Sequence, residues 1–452
     1  MTAAFEPRFG SLLPDIREYP PGEASLALAD RLKSVESRNI THVGTGWPVF
    51  WEEARGANVR DVDGNVYIDL TGAFGVALMG HAHPDVTAAV RAQSEVMLHG
   101  MGDVHPPSVK VDLQERLCAL APWDDTRVIL ASTGSEAVEA ALKTAQLKTG
   151  RPGIVAFEGA YHGLTMGALA VTDRAHFRSP FEERLYKGVV FAPYPGAGSR
   201  GKATKASLAA VRAALEAGAP NGDAIGTVIV EPVQGRAGVR VPADGFLAAL
   251  SELAHEAGVV IIADEIFTGL GRCGATFASE RMGLEPDLVC LGKALGGGMP
   301  VSACIGSHEV MDAWPASSGE AIHTSTFLGH PLACVAATTV LDVMQRDQIP
   351  ARVERLGTAL LASLRGGLSG TAGVAEVRGV GLMIGIQLTD PHGAPSEGRA
   401  VRVAEAALAA GLILLPAGAQ GDVVELTPPA TLTGDQAAYT VRMLSSLIQE
   451  VW

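Results

Sequence analysis

The sequence predicts an α/β protein built on a mostly parallel sheet and joined to a smaller α+β region. Three observations carry that expectation. Short apolar runs recur through the middle of the chain: "RVILA" from residue 127, "GIVAF" from 153, "GVVFA" from 188, "IGTVIV" from 225, "GVVIIA" from 258 and "DLVCLG" from 287. Runs that are apolar on both strand faces belong to sheets covered by helices on both sides. Amphipathic stretches separate these runs, which is the alternation expected of a parallel sheet. Beyond about residue 330 the pattern changes to alanine-rich helices, then "GVGLMIGIQL", "GLILLP" and "DVVELTPP", as in a separate small domain.

Taken in order, "NVRDVDGNVYIDLTG" (58–72) reads as two short strands about an Asp-Gly turn. The stretch "SEAVEAALKTAQLK" (135–148) places Val138, Ala141, Leu142 and Ala145 at i, i+3, i+4 and i+7, one face of a helix. "GFLAALSELAHEAG" (245–258) is a second such helix. The expected organisation is an N-terminal segment (1–75) packing on the small domain, a large domain (76–330) and a C-terminal small domain (331–452).

Composition excludes several classes. The chain has 452 residues, 47% of them hydrophobic and 19% charged, enough to bury a large core and unlike a disordered chain. With 35 Lys and Arg against 49 Asp and Glu, the net charge of −14 argues against a nucleic-acid footprint. There is no run of 18 apolar residues to span a bilayer, and the first 25 residues hold no continuous apolar segment typical of a secretory signal. A cytoplasmic protein with a small-molecule ligand is expected. Five widely spaced cysteines without a C-x-x-C pair fit reduced thiols and no metal site.

The chemistry concentrates at strand ends. "VVIIADEIFTGLGRCG" (259–274) ends in G-x-G-x-x-G, but five residues separate the strand from the first glycine and the next strand ends in Lys293 instead of an acid. The dinucleotide fingerprint requires a tight strand-to-helix turn and that acid, so these glycines read as a turn. Asp264, at the end of the same strand, stands where open α/β sheets bind ligands. Lys293 follows another buried strand and precedes three glycines; desolvated at a sheet edge, a lysine is suited to forming a Schiff base. In "ASTGSEAVEAALK", Thr133 and Glu136 satisfy a capping box, while Gly134 and Ser135 offer N–H groups at a helix N-terminus, a ready phosphate site. "FEGAYHG" sets Tyr161 and His162 beside a glycine turn, where a ring could stack on a flat heterocycle. Acid, lysine, phosphate cup and stacking ring, each after a different strand, are what pyridoxal phosphate requires.

These motifs resemble the class III, or ω-, aminotransferases of pyridoxal-phosphate fold type I, from about residue 47 to the C-terminus. The resemblance rests on "DVDGNVYIDLTGAFGVALMGHAHPDV", "STGSEAVEAALKTA", "GAYHG", "VIVEPVQG", "IIADEIFTGLGRCG", "LGKALGGGMP", "HTSTFLGHPLAC" and "VRGVGLMIGIQL", in the family's order. It implies that Lys293 carries the cofactor as a Schiff base, Asp264 pairs with the pyridine nitrogen, and Gly134 and Ser135 hold the phosphate. It further implies that Tyr161 or His162 covers the ring face, Glu231 lies near the cofactor's hydroxyl edge, Ile266 lies beneath the ring, and Thr326 reaches the phosphate of a neighbouring subunit. A homodimer with shared active sites follows, moving an amino group from an amine or amino acid donor to a keto acid.

Two departures bear on substrate. Members that handle ω-amino acids usually carry Glu two residues after the "EPVQG" glutamine and Arg shortly before a C-terminal "PPL"; here those positions hold Arg236 and Glu425, as though the charges were exchanged. Leu164 stands where 4-aminobutyrate-type enzymes carry Arg after "YHG". If Arg236 and Glu425 pair, the pocket should prefer donors with a neutral or cationic distal end. A racemase or epimerase branch of the family also carries Glu in this C-terminal motif, which makes amino acid or amino-lactam racemisation the alternative. Arg236, always protonated, is a poor base for it. A pyridoxal-phosphate-binding regulator would need a DNA-binding domain, for which neither terminus has room.

Overall fold

In the computed structural model, residues 8–44, 46–197, 201–390 and 392–451 are described, and they form two compact units, 84–354 and 1–83 with 355–452. The boundaries fall at 83/84 and 354/355, whereas the sequence reading sets them at 75/76 and 330/331. The later position of the second boundary has a packing cause: helix Pro331–Arg346 lies against helices Pro84–Val96 and Ser108–Leu120 of the larger unit.

The larger unit is organised by a seven-stranded sheet in the order Thr126–Ala131, Ser302–Ser307, Leu288–Leu291, Val260–Asp264, Ile225–Val230, Gly153–Phe157, Val189–Ala192. All six apolar runs are strands of it. The seventh, Ser302–Ser307, was not expected from the sequence, because its serines and glycine break the apolar run. It pairs antiparallel with both neighbours, and the other pairings are parallel. Two successive reversals return Thr126–Ala131 to the direction of the other five, so six strands end at the same edge. The central strands Val260–Asp264 and Leu288–Leu291 are buried at every residue, which explains their lack of polar alternation.

Helix Gly134–Thr149 begins with a complete capping box: Thr133 Oγ1 accepts from Glu136 N, and the Glu136 carboxylate accepts from Thr133 N. It buries Ala137, Val138, Ala141 and Ala145 against Ile229, Ile262 and Cys290 of the sheet, with Leu142 at the margin. The second amphipathic stretch forms helix Phe246–Glu256.

The smaller unit carries two sheets. Strands Trp51–Arg55, Asn58–Asp61 and Val66–Asp69 form a meander extended by Leu412–Ile413, and Gly64 takes φ +84° at the expected Asp-Gly turn. A second, antiparallel sheet is built from Val374–Val380, Met383–Leu388, Val423–Leu426 and Leu415–Ala417. The N-terminal segment and the C-terminal part therefore share one α+β unit. Among the described residues no helix is long and apolar enough to cross a membrane.

Candidate active site

The carboxyl edge of the large sheet holds all the candidate residues except Thr326 and Glu425. A cavity of about 220 Å³ opens there, lined by Gly134, Ser135, Tyr161 and His162, by Glu231 and Arg236, and by Asp264, Ile266 and Lys293. Gly163 and Phe267 complete the lining. Five strand ends thus supply one pocket, the location expected for ligands of open α/β sheets.

Asp264 is buried at the end of its strand. Its Oδ2 accepts from His162 Nδ1 at 2.7 Å and its Oδ1 from the Ile266 amide at 3.1 Å. Since a carboxylate accepts, the proton sits on Nδ1, and His162 Nε2 is left buried with no hydrogen-bond partner among the described residues. The His162 backbone is fixed in turn: its amide donates to Thr172 Oγ1 at 2.9 Å. The sequence reading offered His162 and Tyr161 as alternatives for stacking. The structure separates them, engaging His162 with the acid and setting Tyr161 against Phe177, ring centroids 5.7 Å apart. The His162–Asp264 bond spans 102 residues and leaves no local signal in the sequence.

Glu231 follows strand Ile225–Val230 and is also buried. Its Oε1 accepts from Tyr161 N at 2.9 Å and its Oε2 from Gly235 N at 3.3 Å, tying two loops of the cavity wall together. Burial pushes its carboxyl up to about 7; the nearby Asp264 charge adds to the rise, while His162 and the two amides oppose it. Burial likewise raises the Tyr161 phenol, opposed by the guanidiniums of Arg236 and Arg174.

Lys293 follows strand Leu288–Leu291 after Gly292, opening a short 3-10 turn with the uncommon φ of +43°. Its Nζ lies 4.0 Å from the centroid of the Phe267 ring. Ile266 fills the floor between two glycines: a Cβ on Gly134 would come within 2.9 Å of its side chain and one on Gly292 within 3.3 Å. At Gly163, φ +126°, a Cβ would collide with Ser135 Oγ. The Ser135 hydroxyl accepts from Leu164 N at 3.2 Å, so the glycine loop is held against the helix N-terminus.

The neighbouring acid, Glu265, has a different task. Its carboxylate is buried, accepts from the Ser279 amide at 2.6 Å and bonds Thr268 Oγ1, anchoring the loop that follows. Leu270, Gly271 and Gly274 of "GLGRCG" take positive φ, as a turn requires, and no helix starts at these glycines. Thr326 is exposed and outside this cavity's lining. Glu425 is buried on strand Val423–Leu426 of the smaller unit, opposite Gly385 and Leu415 in the ladder. Arg236 is half-buried, and among the described residues of its own unit no carboxylate lies within ion-pair distance of it.

This fold is fold type I of the pyridoxal-phosphate enzymes, and relatives in sequence and structure agree. An amine transaminase from an uncultivated Pseudomonas species, solved in its pyridoxal-phosphate-bound form, superposes with a TM-score of 0.84 at 29% identity, covering 92% of this chain and 99% of that one. The chain belongs to the class-III aminotransferase family, whose model matches residues 40–448. It is 33% identical to an acetylornithine aminotransferase of Methanothermobacter thermautotrophicus, over 94% of this chain and all of that protein. It is 38% identical to a 4-aminobutyrate aminotransferase of Mycobacterium tuberculosis, over 92% of this chain and 93% of that one. These relationships make it a pyridoxal-phosphate-dependent aminotransferase and favour aminotransfer over racemisation.

The cavity suits that cofactor on its own chemistry. It offers a buried carboxylate for a protonated ring nitrogen, a primary amine, a helix N-terminus whose first N–H groups lack intrahelical acceptors, and glycines where any Cβ would intrude.

Proposed function

We propose that this aminotransferase attaches its cofactor through Lys293 and moves an amino group from an amine or amino acid donor to a keto acid. The observation that carries the reading is that Lys293 and the His162-buttressed Asp264 open into one cavity beside the helix N-terminus of Gly134 and Ser135. Gly134 and Ser135 would hold the phosphate, Asp264 the pyridine nitrogen, and Glu231 the hydroxyl edge. Tyr161 would cover one ring face and Ile266 the other. When bound, the cofactor supplies an aldehyde that takes up an amine and a ring that withdraws electrons from the carbon bearing it.

The residues then divide the work. Lys293 Nζ would carry a proton from the donor's amine-bearing carbon to the bound cofactor in one half-reaction, and from the cofactor to the keto acid's carbonyl carbon in the other. The Asp264 carboxylate would accept from the protonated ring nitrogen, and His162, donating through Nδ1, holds that carboxylate in orientation. Ile266 and Phe267 exclude water from the floor. Thr326 would serve the phosphate of a partner subunit, giving a homodimer with shared sites, and the cytoplasm is the proposed location.

The test is Lys293→Ala. Wild-type protein reduced with borohydride should carry a lysine adduct at 293, and a panel of donors with keto acids should yield amino acid products. The variant should lose the adduct and at least ~10³-fold of turnover. An adduct on another lysine, or a wild type inert toward every donor and acceptor pair, would refute the proposal.

A further inference from the structure

Arg236 is a guanidinium in the cavity wall that the cofactor-binding set does not use. It lies on a tight loop: Gln234 and Arg240 exchange backbone hydrogen bonds at 3.1 and 2.9 Å, and Gly238 N and Val239 N both donate to Gly235 O. Glu231 pins the root of this loop through Gly235 N. Arg174, just ahead of the short helix Ala175–Arg178, braces it, donating from Nη1 to the Arg236 carbonyl at 3.1 Å, with its guanidinium 5.6 Å from the Phe177 ring. Phe177 in turn packs on Tyr161. Arg236 and Tyr161 therefore line the cavity with Arg174 beside them, joined through the Arg236 carbonyl and Phe177, and the phenol senses both positive charges.

A half-buried guanidinium cannot relieve its charge by deprotonation, and without a counter-charge its partial desolvation is unfavourable. Among the described residues of its unit Arg236 has no carboxylate to pair with, yet its backbone is held at both ends and its side chain lines the cavity. A fork of N–H donors on a held backbone, with a hydroxyl in the same cavity, suits recognition of a carboxylate.

Resting on the proposed aminotransfer, we infer that Arg236, flanked by Arg174 and Tyr161, takes the carboxylate of the keto acid and so sets the preference for acidic over uncharged acceptors. The expectation drawn from an Arg236–Glu425 pair concerns the distal end of the donor; an Arg236 committed to substrate instead rewards an acidic acceptor.

Holoenzyme and its Arg236→Gln and Arg236→Lys variants decide the matter, with pyruvate and butanal as acceptors and one uncharged amine as donor. In Arg236→Gln the ratio of kcat/KM for pyruvate to that for butanal should fall about 10- to 100-fold, chiefly through KM for pyruvate. Arg236→Lys should recover part of it, because the charge remains while the fork is lost. Succinate, a non-reacting dicarboxylate, should inhibit the wild type competitively against pyruvate and the Gln variant at least ~10-fold more weakly. A ratio within threefold of wild type would overturn the inference while leaving the aminotransferase reading intact. So would a loss of cofactor affinity that parallels the loss of activity, since Arg236 would then be serving the phosphate. A wild type that aminates neither acceptor fails the underlying reading instead.

Discussion

The two units each contain a histidine–aspartate pair of nearly the same length, fully buried in the larger unit and part-buried in the smaller, and they are used differently. In the smaller unit His81 Nε2 meets Asp69 Oδ2 at 2.8 Å; in the larger, His162 Nδ1 meets Asp264 Oδ2 at 2.7 Å. Asp69 also accepts from Thr71 N, Thr71 Oγ1 and Ala73 N at 2.6–2.9 Å, so the turn after its strand saturates the carboxylate. Asp264 accepts one amide besides the imidazole, and the far nitrogen of that imidazole has no partner among the described residues. A saturated acid locks a turn. An acid left with spare lone pairs beside a cavity is available to a ligand.

Exchanging each acid for its amide should therefore separate the two roles. Asp264→Asn should retain cofactor yet lose about 10²- to 10³-fold in kcat, because a neutral amide no longer favours the protonated ring nitrogen. Steady-state rates with cofactor occupancy measured in parallel test this, and full activity would remove Asp264 from the mechanism. Asp69→Asn should instead cost about 3 kcal/mol of stability, read by denaturant unfolding, with kcat of the folded fraction preserved. Equal losses of kcat in both variants would erase the contrast.

A smaller effect concerns the third buried acid. Burial raises the Glu231 carboxyl from its ordinary 4.5 to about 7 in the folded chain, so between those values the folded state binds more protons than the unfolded. Stability in the cofactor-free protein should then be greatest at low pH in this window and decline as pH rises through about 7, by up to about 3 kcal/mol. Glu231→Gln should flatten that dependence. Unfolding midpoints from pH 5 to 8 that run parallel in wild type and variant would show that Glu231 is not the titrating group.

What the sequence revealed and what it hid follow from the range of each interaction. The six apolar runs were legible because strands buried on both faces must be apolar at every position, and Thr133 with Glu136 because a capping box spans four residues. Asp264 and Lys293 could be singled out because each directly follows such a run. Strand Ser302–Ser307 escaped because it packs small and polar residues; the Ser302 hydroxyl is spent on the Thr133 carbonyl at 2.6 Å. The division of Tyr161 and His162, and the approach of Arg174 to the Arg236 loop 62 residues away, depend on contacts between residues far apart in the chain and have no local periodicity. Glu265 directly follows Asp264 in the chain, and its bonds to Ser279 and Thr268, each out of reach of sequence patterning, are what mark it as an anchor of the loop.

The φ of +43° at Lys293 has a consequence for the lineage of such a chain. A side chain in that backbone region costs roughly 1 kcal/mol that glycine would not incur. Lys293→Gly should therefore be about 1 kcal/mol more stable than Lys293→Ala, although both lack the amine, and melting curves of the two cofactor-free variants that coincide would contradict this. A duplicated gene released from turnover would drift toward glycine at this codon under selection for folding alone. A lysine persisting there in descendants would mark copies still under selection for chemistry.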